Sequence, residues 1–124
     1  MRLLPALLAS VVFAGCSGVK LPPTTPDQIQ VFYESRGQFP QEKYKSLALL
    51  DRTYTDEMCA TDLQETCDDQ DVWEYGLNKL KQLAAQLGAD ALLVHEVGYA
   101  QSGEGRRYNA SAIYFPSRHP ELEQ

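Results

Sequence analysis

Apolar positions recur at helical intervals over one long stretch of the chain. Trp73, Leu77, Leu80, Ala84 and Leu87 follow one another at three- and four-residue steps, widened into a face by Val72, Gly76 and Leu83. Lys79, Lys81, Gln82 and Gln86 fall largely outside that face, so the pattern predicts an amphipathic helix with one buried side. Asp71-Val72-Trp73-Glu74 has the spacing of a capping box at its start, and Gly88 suits its end. Elsewhere the pattern shortens to the period of strands. Residues 29–33 alternate well enough for a first strand, and 44–54 for a second with Leu47, Leu49 and Leu50 at its centre. Ala91-Leu92-Leu93-Val94 is apolar on both faces, as a central strand is, and continues through His95, Val97 and Tyr99. A turn at Ser102-Gly103-Glu104-Gly105 returns the chain as a strand over 108–115, giving an antiparallel hairpin. Ala110 and Ala112 share a face with Tyr108 and Tyr114 and are small enough to admit a close helix. Residues 35–43 and 55–70 read as loops, the second polar and without a period. The order strand, strand, helix, strand, strand predicts an α+β domain over 29–116. Its expected form is a mainly antiparallel four-stranded sheet with one amphipathic helix packed on it, followed by a polar tail over 117–124.

The first residues carry a different pattern. Arg2 precedes an apolar run over 3–13, and Ala14-Gly15-Cys16 closes it with two small residues and a cysteine. This is the layout of a secretory signal peptide, residues 1–15, with its cleavage site. The run is too short for a bilayer core of about 30 Å, which takes roughly 20 residues, and Pro5 interrupts it. Residues 16–28 hold Pro22, Pro23 and Pro26 among threonines, the composition of a semi-rigid spacer.

Composition places the rest. The chain of 124 residues carries a net charge of −6, and loss of Arg2 with the leader makes it more negative. An acidic chain of one domain's size argues against nucleic acid and against attraction to anionic headgroups. Cys59 and Cys67, eight residues apart, are an even pair once Cys16 is set aside; in an oxidising compartment they are expected to form a disulfide. The alternative is two free thiols in a flexible loop.

Candidate chemistry is sparse. No recognised set of nucleophile, base and orienting group is visible, no P-loop and no HExxH. His95 alternates with Leu93 and Val97, the setting of a partly buried, hydrogen-bonded strand histidine. Glu96 is expected on the opposite face, which makes a His95–Glu96 dyad geometrically poor. A metal site would have to draw on Cys59, Cys67, His95 and Asp68 or Asp69, without the tight spacing of zinc pairs. His119 adds little to it. The acidic run Asp68-Asp69-x-Asp71 lacks the glycine and closing glutamate of a calcium loop and suits a helix N-terminus. Arg106 and Arg107 read as solvated charges beside the turn. No catalytic residue, metal or cofactor is expected.

Val12-Phe13-Ala14-Gly15-Cys16 resembles the bacterial lipoprotein lipobox, whose cysteine receives diacylglycerol and becomes the first mature residue. Phe13 stands where leucine is more usual. The resemblance implies lipidation of Cys16, with two or three acyl chains as the membrane attachment, each buried methylene contributing about 0.8 kcal/mol. Ser17 after the cysteine implies the outer membrane by the sorting rule of such lipoproteins. A Pro-rich tether, a first strand at 29–33, a cysteine-bearing loop and the junction Gln86-Leu87-Gly88-Ala89-Asp90-Ala91-Leu92-Leu93-Val94 together resemble RcsF-type outer-membrane lipoproteins and the wider YbjQ-like domains. That family implies a small α+β fold and envelope stress sensing. The chain departs from it in having no cysteine after Cys67, where the family has a second disulfide. The expected protein is a non-enzymatic lipoprotein of the bacterial envelope, periplasm-facing or surface-exposed, that binds another envelope protein. A metal- or small-ligand-binding lipoprotein is the alternative.

Overall fold

The structure is a computed structural model describing residues 19–101 and 103–123. The leader and Cys16 lie outside the described residues. Four strands, β1 (Gln30–Tyr33), β2 (Lys45–Thr55), β3 (Ala91–Tyr99) and β4 (Gly105–Tyr114), form one sheet in the order β1-β3-β4-β2. Two helices, α1 (Asp56–Leu63) and α2 (Asp69–Gln86), lie between β2 and β3 in the chain.

The α+β class is as expected, with β3 and β4 an antiparallel hairpin. Two of the three strand pairings are antiparallel, in keeping with the mainly antiparallel sheet expected; the order β-β-α-β-β with one helix is corrected to two helices and a different strand order. The sheet is mixed: β1 runs parallel to β3, pairing Phe32 with Leu93, while β2 pairs with β4. The doubly apolar run Ala91–Val94 is the physical reason. A strand buried on both faces needs a neighbour on each side, and β4 fills only one. β2, whose side chains are mostly exposed, takes the outer position beside β4.

α1 occupies part of the stretch expected to be a loop. Its helical register buries little besides Cys59, so no period marks it; Thr55 starts it by accepting the Met58 N–H at 3.1 Å. α2 begins earlier than the Asp71–Glu74 pattern implies. Asp68 accepts the Asp71 N–H at 2.8 Å, and Asp71 reciprocates on the Asp68 N–H at 3.0 Å. Its end is closed by two bonds: the Gly88 N–H donates to Ala85 and the Ala89 N–H to Ala84, both at 3.0 Å. This is the Schellman pattern, with Gly88 at φ +78°.

α2 packs on one face of the sheet. Ala110 and Ala112 lie on that face with Leu92, Val94 and Tyr108. Gly76 meets Tyr108 so closely that a Cβ there would sit 2.4 Å from the ring. The Tyr108 hydroxyl donates to the Trp73 carbonyl at 2.6 Å, and rings of Tyr33, Trp73, Tyr108, Tyr54 and Tyr75 continue the contact as a chain.

The other face carries a smaller apolar cluster of Ala91, Leu93, Ile113 and Phe115 with Phe32. Arg118 lies over the Phe115 ring and pairs with Glu42, which joins the tail to the loop before β2. Asp90 accepts from the Phe115 N–H at 2.8 Å and bonds His119 at 2.7 Å, so His119 is held in the structure. Upstream, Leu21 is buried and the Thr24 N–H donates to Ala85 at 2.9 Å, seating this part of the spacer on the end of α2. Among the described residues no helix is long and apolar enough to cross a membrane.

Candidate functional site: a serine–histidine–glutamate relay on the open sheet face

A bulge in β3 builds the site. Val94 pairs with Ala110 and Glu96 with Asn109, so His95 is an extra residue on its strand. Strict alternation is lost there. Ala110 faces α2, and Asn109 therefore faces the other way, taking its partner Glu96 with it. Val97, opposite Tyr108, returns to the helix face. Leu93 and His95 share the open face as expected, but one inserted residue sends Val97 to the helix face and brings Glu96 onto the face of His95, which corrects both of those placings.

His95 bridges two elements distant in the chain. Its Nε2 is 2.8 Å from Ser111 Oγ on β4, and its Nδ1 is 2.9 Å from Glu34 Oε2. Glu34 opens a 3-10 turn after β1, which closes at Gly37 with φ +72° and a 2.9 Å bond from the Gly37 N–H to Glu34. The protonation pattern follows from the donors. An ionised carboxylate only accepts, so in neutral His95 the proton lies on Nδ1 and Nε2 accepts from the Ser111 hydroxyl. His95 and Glu34 are each about one-third exposed, at 30 and 33 % of side-chain area.

The surroundings grade from apolar to polar. Ser111 lies between Leu93 on β3 and Leu49 on β2, and Leu49 is 63 % exposed. Further along the same face a groove of about 240 Å³ is lined by Glu96, Gly98, Tyr99, Arg107 and Asn109. Arg107 grips Asp51 with two bonds, 2.9 and 3.2 Å, and this guanidinium holds the Asp51 carboxyl below its ordinary pKa. Arg106 is bound on the helix side, donating to Asp69 at 2.9 and 3.3 Å and lying over the Tyr99 ring. Both arginines are paired; Arg107 is largely exposed, as a solvated charge is, whereas Arg106 is mostly covered, which corrects that reading for it alone.

A second concavity, about 340 Å³, lies between the helices and includes Asp62, Tyr75 and Lys79. The Tyr75 hydroxyl donates to Asp62 at 2.5 Å, and burial together with that carboxylate pushes its pKa up to about 12.

Cys59 and Cys67 form a disulfide. Both sulfurs of the conceivable metal set are therefore bridged, and His95 is engaged by Glu34 and Ser111. Among the described residues no three His, Cys, Asp or Glu side chains gather as metal ligands. Sequence spacing gave no sign of the relay, since Glu34 stands 61 residues before His95 and Ser111 stands 16 after it. The one local signal was His95 itself, an ionisable residue directly after the apolar run Ala91–Val94.

No protein-family model, curated protein or solved structure matches the chain.

Proposed function

We propose that the protein is a lipid-anchored domain of the bacterial envelope, held at the outer membrane through Cys16, that acts by binding another envelope protein. The lipobox-like sequence supports the anchor, and the family resemblance points to stress sensing as the process. The observation that carries the binding role is β2. It spans eleven residues, Lys45–Thr55, and has a strand on one side only. A strand of that length at a sheet edge offers unpaired backbone groups to an extended segment of another protein. Its charged residues Lys45, Asp51 and Arg52 keep such an edge from pairing indiscriminately. The partner is accordingly expected to contribute an extended segment.

The test has two readouts on protein extracted from membranes. Intact mass and peptide mapping should give diacylglycerol on Cys16; an unmodified Cys16 overturns the anchor. A photo-crosslinking residue at Arg52 should capture one envelope protein that the same residue at Gln86 does not. Hydrogen exchange should then show β2 amides protected in the complex. Equal capture from both positions, or no change in β2 exchange, overturns the edge as the docking site.

A further inference from the structure

We propose that Ser111 is an activated nucleophile and that the Glu34–His95–Ser111 relay accepts acyl groups from esters. This goes beyond the binding role and stands without it. Three features meet at Ser111. A base nitrogen lies 2.8 Å from its Oγ, inside the range in which a general base takes a proton directly. A carboxylate 2.9 Å from the other ring nitrogen fixes the tautomer that leaves Nε2 free to accept, and stabilises the imidazolium once it forms. Ser111 is also partly exposed: it faces outward from a central strand, and further along the same face a groove opens over Asn109 and Gly98. A Cβ added at Gly98 would meet nothing within 4 Å, so the groove floor is open.

The neighbours suit an acyl ester. Leu49, directly across from Ser111 and largely exposed, is an apolar shelf for an acyl chain. Asn109, two residues before Ser111 on the same face, carries amide N–H donors of the kind that stabilise a carbonyl oxygen as it gains charge. In the first step Ser111 Oγ bonds to the carbonyl carbon and its proton passes to His95 Nε2. The tetrahedral oxyanion then collapses, the bond to the alcohol oxygen breaks, and the Nε2 proton goes to the departing alkoxide. Water repeats the sequence on the acyl-serine: its oxygen bonds to the carbonyl carbon, His95 takes its proton, and Ser111 Oγ leaves and recovers a proton from Nε2. The sum is ester plus water to acid plus alcohol. Glu34 is a positioning residue, acting through His95.

The simpler role for the same bonds is a staple joining the turn after β1 to β4, and the two differ in reactivity. Incubating the intact chain with a fluorophosphonate forms an Oγ–P bond and breaks P–F; fluoride leaves and the serine proton goes to His95. The exposed Ser35, Ser46 and Ser117 are internal controls in the same molecule. Ser111 should be labelled on the order of 100-fold faster than any of them, the usual gain from a positioned base. Glu34→Gln should slow labelling at least about tenfold and change its pH profile, which loss of a staple alone would not do. Ser111→Ala should abolish the fast adduct and the hydrolysis of p-nitrophenyl butyrate. Labelling of Ser111 no faster than of Ser35 and Ser46 in the unaltered protein overturns the proposal, whatever the variants do.

Discussion

The two faces of the sheet share their strands yet hold together by different physics. On the α2 face, Tyr108, Ala110 and Ala112 of β4 are fully buried against a helix brought close by Gly76. On the other face, Asn109 and Ser111 of the same strand are only partly covered, and Ser111 bonds the His95 ring instead of meeting a helix. The first face draws its stability from apolar burial, with one tyrosine hydroxyl satisfied by a backbone carbonyl. The second exchanges some of that burial for a cluster of positioned polar groups. Each strand can serve both because its side chains alternate, and in β3 a residue inserted at His95 adds Glu96 to the open face.

The contrast is sharpest in the core. Tyr108→Ala removes a buried ring that touches both Trp73 and Tyr54, and should cost about 3–5 kcal/mol in urea unfolding. A loss as small as that of an open-face substitution would erase the distinction between the faces. Gly76→Ala comes next: its Cβ overlaps the Tyr108 ring, so helix or ring must shift, at about 2 kcal/mol. Reducing the Cys59–Cys67 bridge, which closes a short loop between α1 and α2, should lower the unfolding free energy by about 2 kcal/mol. Its effect should reach the helix layer while leaving Ser111 labelling unchanged.

Alkaline titration separates the regions by another route. Tyr75 in the folded protein is raised to about 12 and Tyr108 is raised as well, chiefly by burial. Above about pH 10 the unfolded chain holds fewer tyrosine protons than the folded one, so stability falls as pH rises towards the folded values. Phenolate absorbance from these two rings should therefore appear together with loss of tertiary signal; phenolate at Tyr75 or Tyr108 in an intact fold near pH 10 would refute their burial. The smallest effect belongs to the open face. Asn109→Ala should change stability by less than about 0.5 kcal/mol while slowing acyl transfer to Ser111. A large stability loss there would make the face a second core rather than a site.

The helix face was legible in the sequence. Helical spacing from Trp73 to Ala84 and the small residues Ala110 and Ala112 anticipated how α2 meets the sheet, whereas Leu87, expected on the same face, is exposed. What escaped had physical causes. α1 has little apolar face to reveal it, since Cys59 is its one fully buried side chain. The parallel pairing of β1 joins four residues to a strand some sixty positions away, and local pattern carries no record of such a contact. The relay was hidden twice over: by the distance between Glu34 and His95, and by a bulge that shifts alternation by one.

The seating of Leu21 and Thr24 on the end of α2 has a mechanical consequence. Leu21 stands five positions after Cys16, and a chain that short reaches at most ~17 Å. With the proposed anchor on Cys16, the domain is moored on a short leash by the corner where α2 ends and β3 begins. β3 then runs away from that corner over nine residues, about 30 Å, to Tyr99 and the turn beyond it. Such a mooring limits how far the domain can swing, so a partner would meet it at a nearly constant height above the lipid.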